Sequence, residues 1–196
     1  MRKLRYILWG LAIAALVAAS ALWFAQKIEN GNVASTVKIG GSFAMTDHNG
    51  QPVTEKSYAG RATAIFFGFT FCPDICPTTL ARLSALTAKL GPDGLRLQVI
   101  LVSVDPERDT PKVLKEYLAA FDPSFVALTG TPEQLASFAK TYLAFYEKVP
   151  VSSGGYTMNH SAGVYLFDAA GAFVDTLDAH ETDDVALQKL KRLVAH

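Results

Sequence analysis

With 196 residues, half of them hydrophobic and 18% charged, the chain has the material for one packed domain and a short extra segment, and it is not a disordered polar tail. Its 18 basic and 18 acidic residues balance overall, but unevenly. Four basic residues and one acidic residue fall in the first 30, leaving 14 basic against 17 acidic and no basic stripe, which excludes nucleic acid as a partner.

The chain opens on three cations, Arg2, Lys3 and Arg5. Residues 6–25 then run without a charge, a length of 20 residues. A helix of ~20 apolar residues crosses a bilayer. Trp9 and Trp23 stand near the two ends, as interfacial anchors do. Positive charge holds the N-terminus in the cytoplasm, so the remainder is exported. Ala19, Ser20 and Ala21 have the small side chains of a cleavage site, but Leu22, Trp23 and Phe24 continue the apolar run past it. The expectation is an uncleaved single-pass anchor in a bacterial inner membrane, with the domain in the periplasm. Residues 1–28 form the anchor, 29–38 a polar linker and 39–196 the domain.

Residues 43–53 read as a β-hairpin, with Asn49 and Gly50 as its two-residue turn. The apolar run 62–69 is a buried strand. It leads into Gly68-Phe-Thr-Phe-Cys-Pro-Asp-Ile-Cys-Pro77, which holds both cysteines of the chain, Cys72 and Cys76. A helical pattern follows over 77–90, stopped by Gly91, Pro92 and Gly94. Pro77 suits a first helical turn, so Cys76 falls at or near the N-cap. There the helix dipole favours a thiolate, and a lowered pKa is expected for at least one thiol.

Residues 95–104 form a central strand, and Asp105-Pro-Glu-Arg-Asp-Thr-Pro111 is a loop that caps the next helix through Asp109 or Thr110. Residues 125–128 make a short strand, and Thr131 and Pro132 open another helix. A strand over 146–151 precedes a glycine turn at 154–155. A strand over 161–167, a turn at 168–171, a strand over 172–177 and an amphipathic helix over 183–194 complete the chain. This order predicts an α/β, thioredoxin-like fold with an N-terminal β-hairpin extension, preceded by one transmembrane helix. Sites in such sheets gather at the carboxyl ends of strands, where the cysteine loop lies.

A Cys pair spaced C-x3-C has four uses. Proline and aspartate within the loop argue against two buried core residues. A structural disulfide is sterically allowed, but so short a loop restricts the unfolded chain least. A redox pair or a metal-binding pair remains, and the spacing does not choose between them. On the oxidising side of a membrane, such a pair is kept reduced, metallated or deliberately cycled.

A thioredoxin places a proline before the strand of its last hairpin, facing the cysteines. Here that stretch is Thr157-Met158-Asn159-His160-Ser161, with His160 at the strand start and no proline. Opposite the cysteine loop, a ligand or acid/base role suits His160. His48, His180 and His196 read as solvated surface.

The cysteine motif, the block from Asp105 to Pro111 and the isolated His160 together resemble the Sco/SenC proteins, over residues from about 39 to the C-terminus. The resemblance implies a membrane-tethered copper metallochaperone, a carrier rather than an enzyme, that serves the binuclear copper site of cytochrome c oxidase. Its implied partners are a copper donor protein and the copper-bearing oxidase subunit. The family's copper ligands fall on Cys72, Cys76 and His160. The chemistry agrees: two soft thiolates and an imidazole suit Cu(I) and Cu(II), and zinc is acceptable. Three protein ligands leave an open face for ligand exchange. Oxidation of Cys72 and Cys76 to a disulfide abolishes the site, which couples metal content to redox state. Asp74 reads as a turn residue or as a carboxylate supporting the ligands, and Asp105 and Arg108 as part of a docking surface. Two competing functions are a thiol–disulfide oxidoreductase that keeps the acceptor's cysteines reduced and a redox or copper sensor. A thiol peroxidase on the same fold would need one activated thiol and no distant histidine. His160 separates the metal reading from the others.

Overall fold

The computed structural model describes residues 38–195 except Ser153, together with Trp9, Leu16, Val17, Ala19, Ser20 and Trp23. The chain divides into two units, Met1–Val37 and Lys38–His196. The six described residues of the first unit are helical. Apart from these six, the anchor expected at 6–25 lies outside the described residues, as does the linker except Lys38. Among the described residues no helix is long and apolar enough to cross a membrane.

The second unit has a mixed α/β, thioredoxin-like fold. Its elements in chain order are β1 (Ala44–Asp47), β2 (Pro52–Thr54), β3 (Ala62–Gly68), α1 (Ile75–Lys89), β4 (Leu97–Ser103), α2 (Pro111–Leu118) and β5 (Val126–Thr129). Then come α3 (Pro132–Thr141), β6 (Tyr146–Pro150), β7 (Tyr156–His160), β8 (Val164–Phe167), β9 (Phe173–Leu177) and α4 (Asp183–Val194). Seven strands form one sheet in the order β2-β1-β5-β4-β3-β8-β9. β3 runs parallel to β4 and β4 to β5, while β8 is antiparallel to β3 and to β9. The N-terminal hairpin extends the sheet by pairing β1 with β5.

All seven residues of β3 and all seven of β4 are buried, as continuous apolar runs in a covered parallel sheet must be. Helices α2, α3 and α4 begin where a threonine side chain satisfies one of the first free N–H groups. Thr110 accepts from the Val113 amide, Thr131 and Gln134 form a capping box, and Thr182 accepts from Val185. The inward face of α1 carries Cys76, Leu80, Leu83 and Thr87, a helical period.

Three expectations need correction, and a fourth is narrowed: of the two cap candidates for α2, Thr110 is the cap and Asp109 is not. Helix α1 starts at Ile75, two residues before Pro77, so Cys76 lies inside its first turn. His48 is half-buried rather than solvated, and its Nδ1 accepts from the Ala127 amide at 3.2 Å. Finally, His160 does not start the strand that leads to Phe167. It ends β7, a strand the sequence pattern did not reveal, and β8 begins at Val164. β7 pairs antiparallel with β6 in a separate two-stranded sheet, with Tyr146 opposite His160.

Candidate metal centre

The last residue of β3 is Gly68, and its carbonyl accepts from the Val104 amide at 2.9 Å, which closes the strand against β4. Gly68 must lack a side chain. A Cβ there would stand 2.9 Å from a Phe66 ring carbon, 3.0 Å from Cys76 Sγ and 3.2 Å from Leu101. The close approach lets the helix seat its sulfur directly on the strand end.

The cysteine loop is tied from below by Asp109, which is fully buried. Its carboxylate accepts from the Thr70 amide at 3.2 Å, the Thr70 hydroxyl at 2.6 Å and the Ser103 hydroxyl at 2.6 Å. Burial raises the Asp109 pKa, and the bonds from Ser103 and Thr70 oppose that shift. Higher in the loop, the Cys72 amide donates to the Phe69 carbonyl at 3.3 Å. The Cys76 amide, one of the free N–H groups of the first helical turn, points at Cys72 Sγ at 3.5 Å.

Both cysteines are free thiols; Cys76 is fully buried and Cys72 half-buried. The lowered pKa expected from the helix start is not found at Cys76. Burial pushes its thiol well above the ordinary value, outweighing a hydrogen bond from the Phe69 backbone. Desolvation dominates because Cys76 is the one residue of the first turn of α1 turned into the core, while Ile75 and Thr78 stay exposed.

His160 reaches the pair from β7. Its Nδ1 lies 3.0 Å from the Ser161 carbonyl. A carbonyl only accepts, so Nδ1 carries the proton and Nε2 presents a lone pair. That Nε2 lies 3.5 Å from Cys76 Sγ. The ring stands edge-on to Phe66 and Phe69, both at 5.9 Å between centroids. Burial lowers the His160 pKa, opposed by the Ser161 carbonyl, so the imidazole is neutral at physiological pH and ready to ligate.

Among the described residues, Cys72, Cys76 and His160 are the group able to share a metal ion, their ligand atoms all within 4.8 Å of one another. Residues 72 and 160 are far apart in the chain, and the fold brings them together. Asp74 is not brought in. It is exposed at the N-cap of α1, makes no side-chain cap bond, and its backbone carbonyl accepts the first helical bond from the Thr78 amide at 3.2 Å. Asp105 and Arg108 also stand apart from this group, paired with each other. Asp105 is buried and accepts from the Tyr156 hydroxyl at 2.9 Å. Gly68, Asp109 and Tyr156 were not among the sequence candidates as supports of the site. For Asp109 the signal was present in the Asp105–Pro111 block, but its partners lie up to 39 residues away.

The chain is similar to known proteins. The protein SCO2 of Saccharomyces cerevisiae mitochondria is 38% identical over 162 residues, which are 81% of this chain and 54% of the yeast protein. The chain thus spans about half the length of that relative. The solved structure of Bradyrhizobium japonicum ScoI with copper bound superposes with a TM-score of 0.73 at 45% identity, over 79% of this chain and 99% of that one. BsSco, described with a disulfide switch and as a member of the Sco family of cytochrome c oxidase assembly proteins, superposes with a TM-score of 0.64 at 27% identity, over 81% and 94%. A family model described as SCO1/SenC matches residues 32–195, most of the sequence. The chain belongs to the SCO1/SenC family.

Proposed function

We propose that this protein is a copper carrier for cytochrome c oxidase assembly, with Cys72, Cys76 and His160 as its copper ligands. The observation that carries the proposal is the convergence of two thiols and a neutral imidazole within 4.8 Å. The copper-bound structure of the Bradyrhizobium relative supports the choice of metal. In the free protein, the Cys76 thiol faces the Nε2 lone pair, and copper would take the place of that proton. Copper uptake therefore releases protons, and affinity rises with pH. Two thiolates leave one negative charge on Cu(I) and neutralise Cu(II). Three protein ligands leave a face open to the ligands of an acceptor. Residues 1–28 would tether the domain to the bacterial inner membrane, residues 29–38 would link it, and residues 39–196 would work in the periplasm. The acceptor would be the copper-bearing oxidase subunit, and a second protein would supply the metal.

A thiol–disulfide oxidoreductase is the alternative, and one observation favours it: both sulfurs are free and lie within 4.8 Å of each other. The disulfide switch described for BsSco agrees with such chemistry. A redox or copper sensor would use the same pair. Metal analysis of the reduced full chain separates these readings. The carrier reading expects one copper per chain, retained through gel filtration and lost on oxidation of the cysteines. A reduced protein that holds no copper but reduces disulfides in an acceptor would make the oxidoreductase the function.

A further inference from the structure

The three ligands of the site are not held by one element. Cys72 and Cys76 belong to the β3–α1 junction, inside the main fold. His160 ends β7, and the β6–β7 ribbon pairs with no strand of the seven-stranded sheet. A two-stranded ribbon alone is at best marginally stable in water. Something other than sheet hydrogen bonding must fix where His160 stands.

Arg108 makes that connection. Its guanidinium carbon lies 3.9 Å from the centre of the Tyr156 ring and 4.6 Å from the centre of Phe71. Phe71 precedes Cys72 in the cysteine loop, and Tyr156 begins the strand that ends at His160. One cation therefore contacts an aromatic ring from each half of the site. Its Nε pairs with buried Asp105, and its Nη1 donates to the Tyr156 carbonyl at 3.2 Å. Asp105 in turn accepts from the Tyr156 hydroxyl. Tyr156 is thus held at its ring, hydroxyl and carbonyl. The Arg108 Nη2 is buried with no hydrogen-bond partner, a penalty that the stacking and the buried ion pair must offset.

We infer that Arg108 is a positioning residue that sets the place of His160 relative to Cys72 and Cys76. The inference rests on the three-ligand metal reading. Arg108 touches no ligand atom. It acts by keeping the ribbon against the cysteine loop, so that Nε2 meets the sulfurs without an ordering cost on metal binding. The dependence should be selective. Cu(I) tolerates the two sulfurs alone, whereas Cu(II) prefers a site that includes nitrogen.

The test uses the reduced full chain in detergent, titrated separately with Cu(I) and Cu(II), with thiolate-to-copper absorption and electron paramagnetic resonance as the spectroscopic readouts. The variants are Arg108→Ala, Arg108→Lys, His160→Ala and the double variant Arg108→Ala/His160→Ala. Arg108→Ala should keep Cu(I) and lose roughly 10–100-fold in Cu(II) affinity, the range typical for residues that orient a ligand. Its Cu(II) spectrum should move toward that of His160→Ala. Arg108→Lys keeps the charge but not the planar face, and should fall between. In the His160→Ala background, Arg108→Ala should cost nothing further, because its effect passes through the missing imidazole. Equal losses in Cu(I) and Cu(II), or additive losses in the double variant, would overturn the inference in favour of a general structural role. So would an Arg108→Ala protein with the parent's Cu(II) affinity and spectrum, while His160→Ala changes both. If His160→Ala itself changes neither, the metal reading fails and the inference fails with it.

Discussion

The two halves of the site are built to different standards of rigidity. The cysteine half sits on β3, buried at all seven positions, and on the first turn of α1, with Asp109 fastening its loop. The histidine half rides on β7, where Met158 is the one buried residue, and its ribbon lies outside the main sheet. The two sulfurs are thus fixed by the core, and the imidazole is held by side-chain contacts across a seam. On the proposed function, this is a sensible division for a carrier. The sulfurs retain the metal while the imidazole is the ligand that can yield to an acceptor.

Removing ligands from each half should break the comparison most visibly. Cys72→Ala or Cys76→Ala should abolish copper binding in either oxidation state, because a single thiolate and an imidazole no longer form a soft pair. His160→Ala should leave Cu(I) bound and lower Cu(II) affinity by at least ~10–100-fold. Stoichiometry and competition titration of each variant check this. Equal losses for all three substitutions would erase the distinction between the halves.

Rigidity of the cysteine half can be probed without substituting a cysteine. Gly68→Ala places a methyl group 3.0 Å from Cys76 Sγ and 2.9 Å from Phe66. Overpacking of this kind costs about 1–3 kcal/mol. Thermal unfolding should drop by roughly 2–4 °C for each kcal/mol, and copper affinity should fall with the displaced sulfur. An unchanged melting temperature would mean that the strand end yields more easily than its burial implies.

Thiol chemistry sharpens the same contrast on a finer scale. Cys76 is buried and its pKa is raised, while Cys72 is half-buried in the loop. At neutral pH, alkylation followed by peptide mapping should label Cys72 first and leave Cys76 largely protected. The Cys76 shift also sets a pH dependence. Above the thiol's ordinary value of 9.0, the unfolded chain loses this proton while the folded chain keeps it. The folded state then holds more protons, so its stability falls as pH rises through that range, and the contribution is fully present below it. The smallest effect is expected on the outer surface, away from the seam. Lys89 pairs with Asp183 at 3.5 Å, but both are exposed. Lys89→Ala should leave copper affinity and melting temperature unchanged within error.

The part of the site that local sequence logic could reach was the cysteine half. An apolar run, a Pro-punctuated loop and a helical period suffice to put Cys72 and Cys76 where a strand becomes a helix. The same logic found α4 at its observed bounds, and the hairpin turn at Gly50, whose φ of +79° glycine adopts without strain. Strand β7 escaped because Tyr-Thr-Met-Asn-His is five residues long with a single aliphatic side chain, Met158, too short an alternation to stand out. It is a strand through pairing with β6 across a glycine turn and through contacts with Arg108. The raised pKa of Cys76 escaped for a related reason. A helix start is visible in sequence, whereas its burial is decided by β3 and β4. Asp109 looked like a cap by local spacing, yet its bonds run to Thr70 and Ser103, which only the folded sheet brings near.

X-ray absorption on the copper-loaded full chain tests the central claim most directly, because it counts the atoms around the metal. The account predicts two sulfurs and one imidazole nitrogen in both oxidation states of the parent, and two sulfurs without that nitrogen for Cu(I) in His160→Ala. A parent spectrum with fewer than two sulfurs, or an imidazole signal that survives His160→Ala, would contradict it.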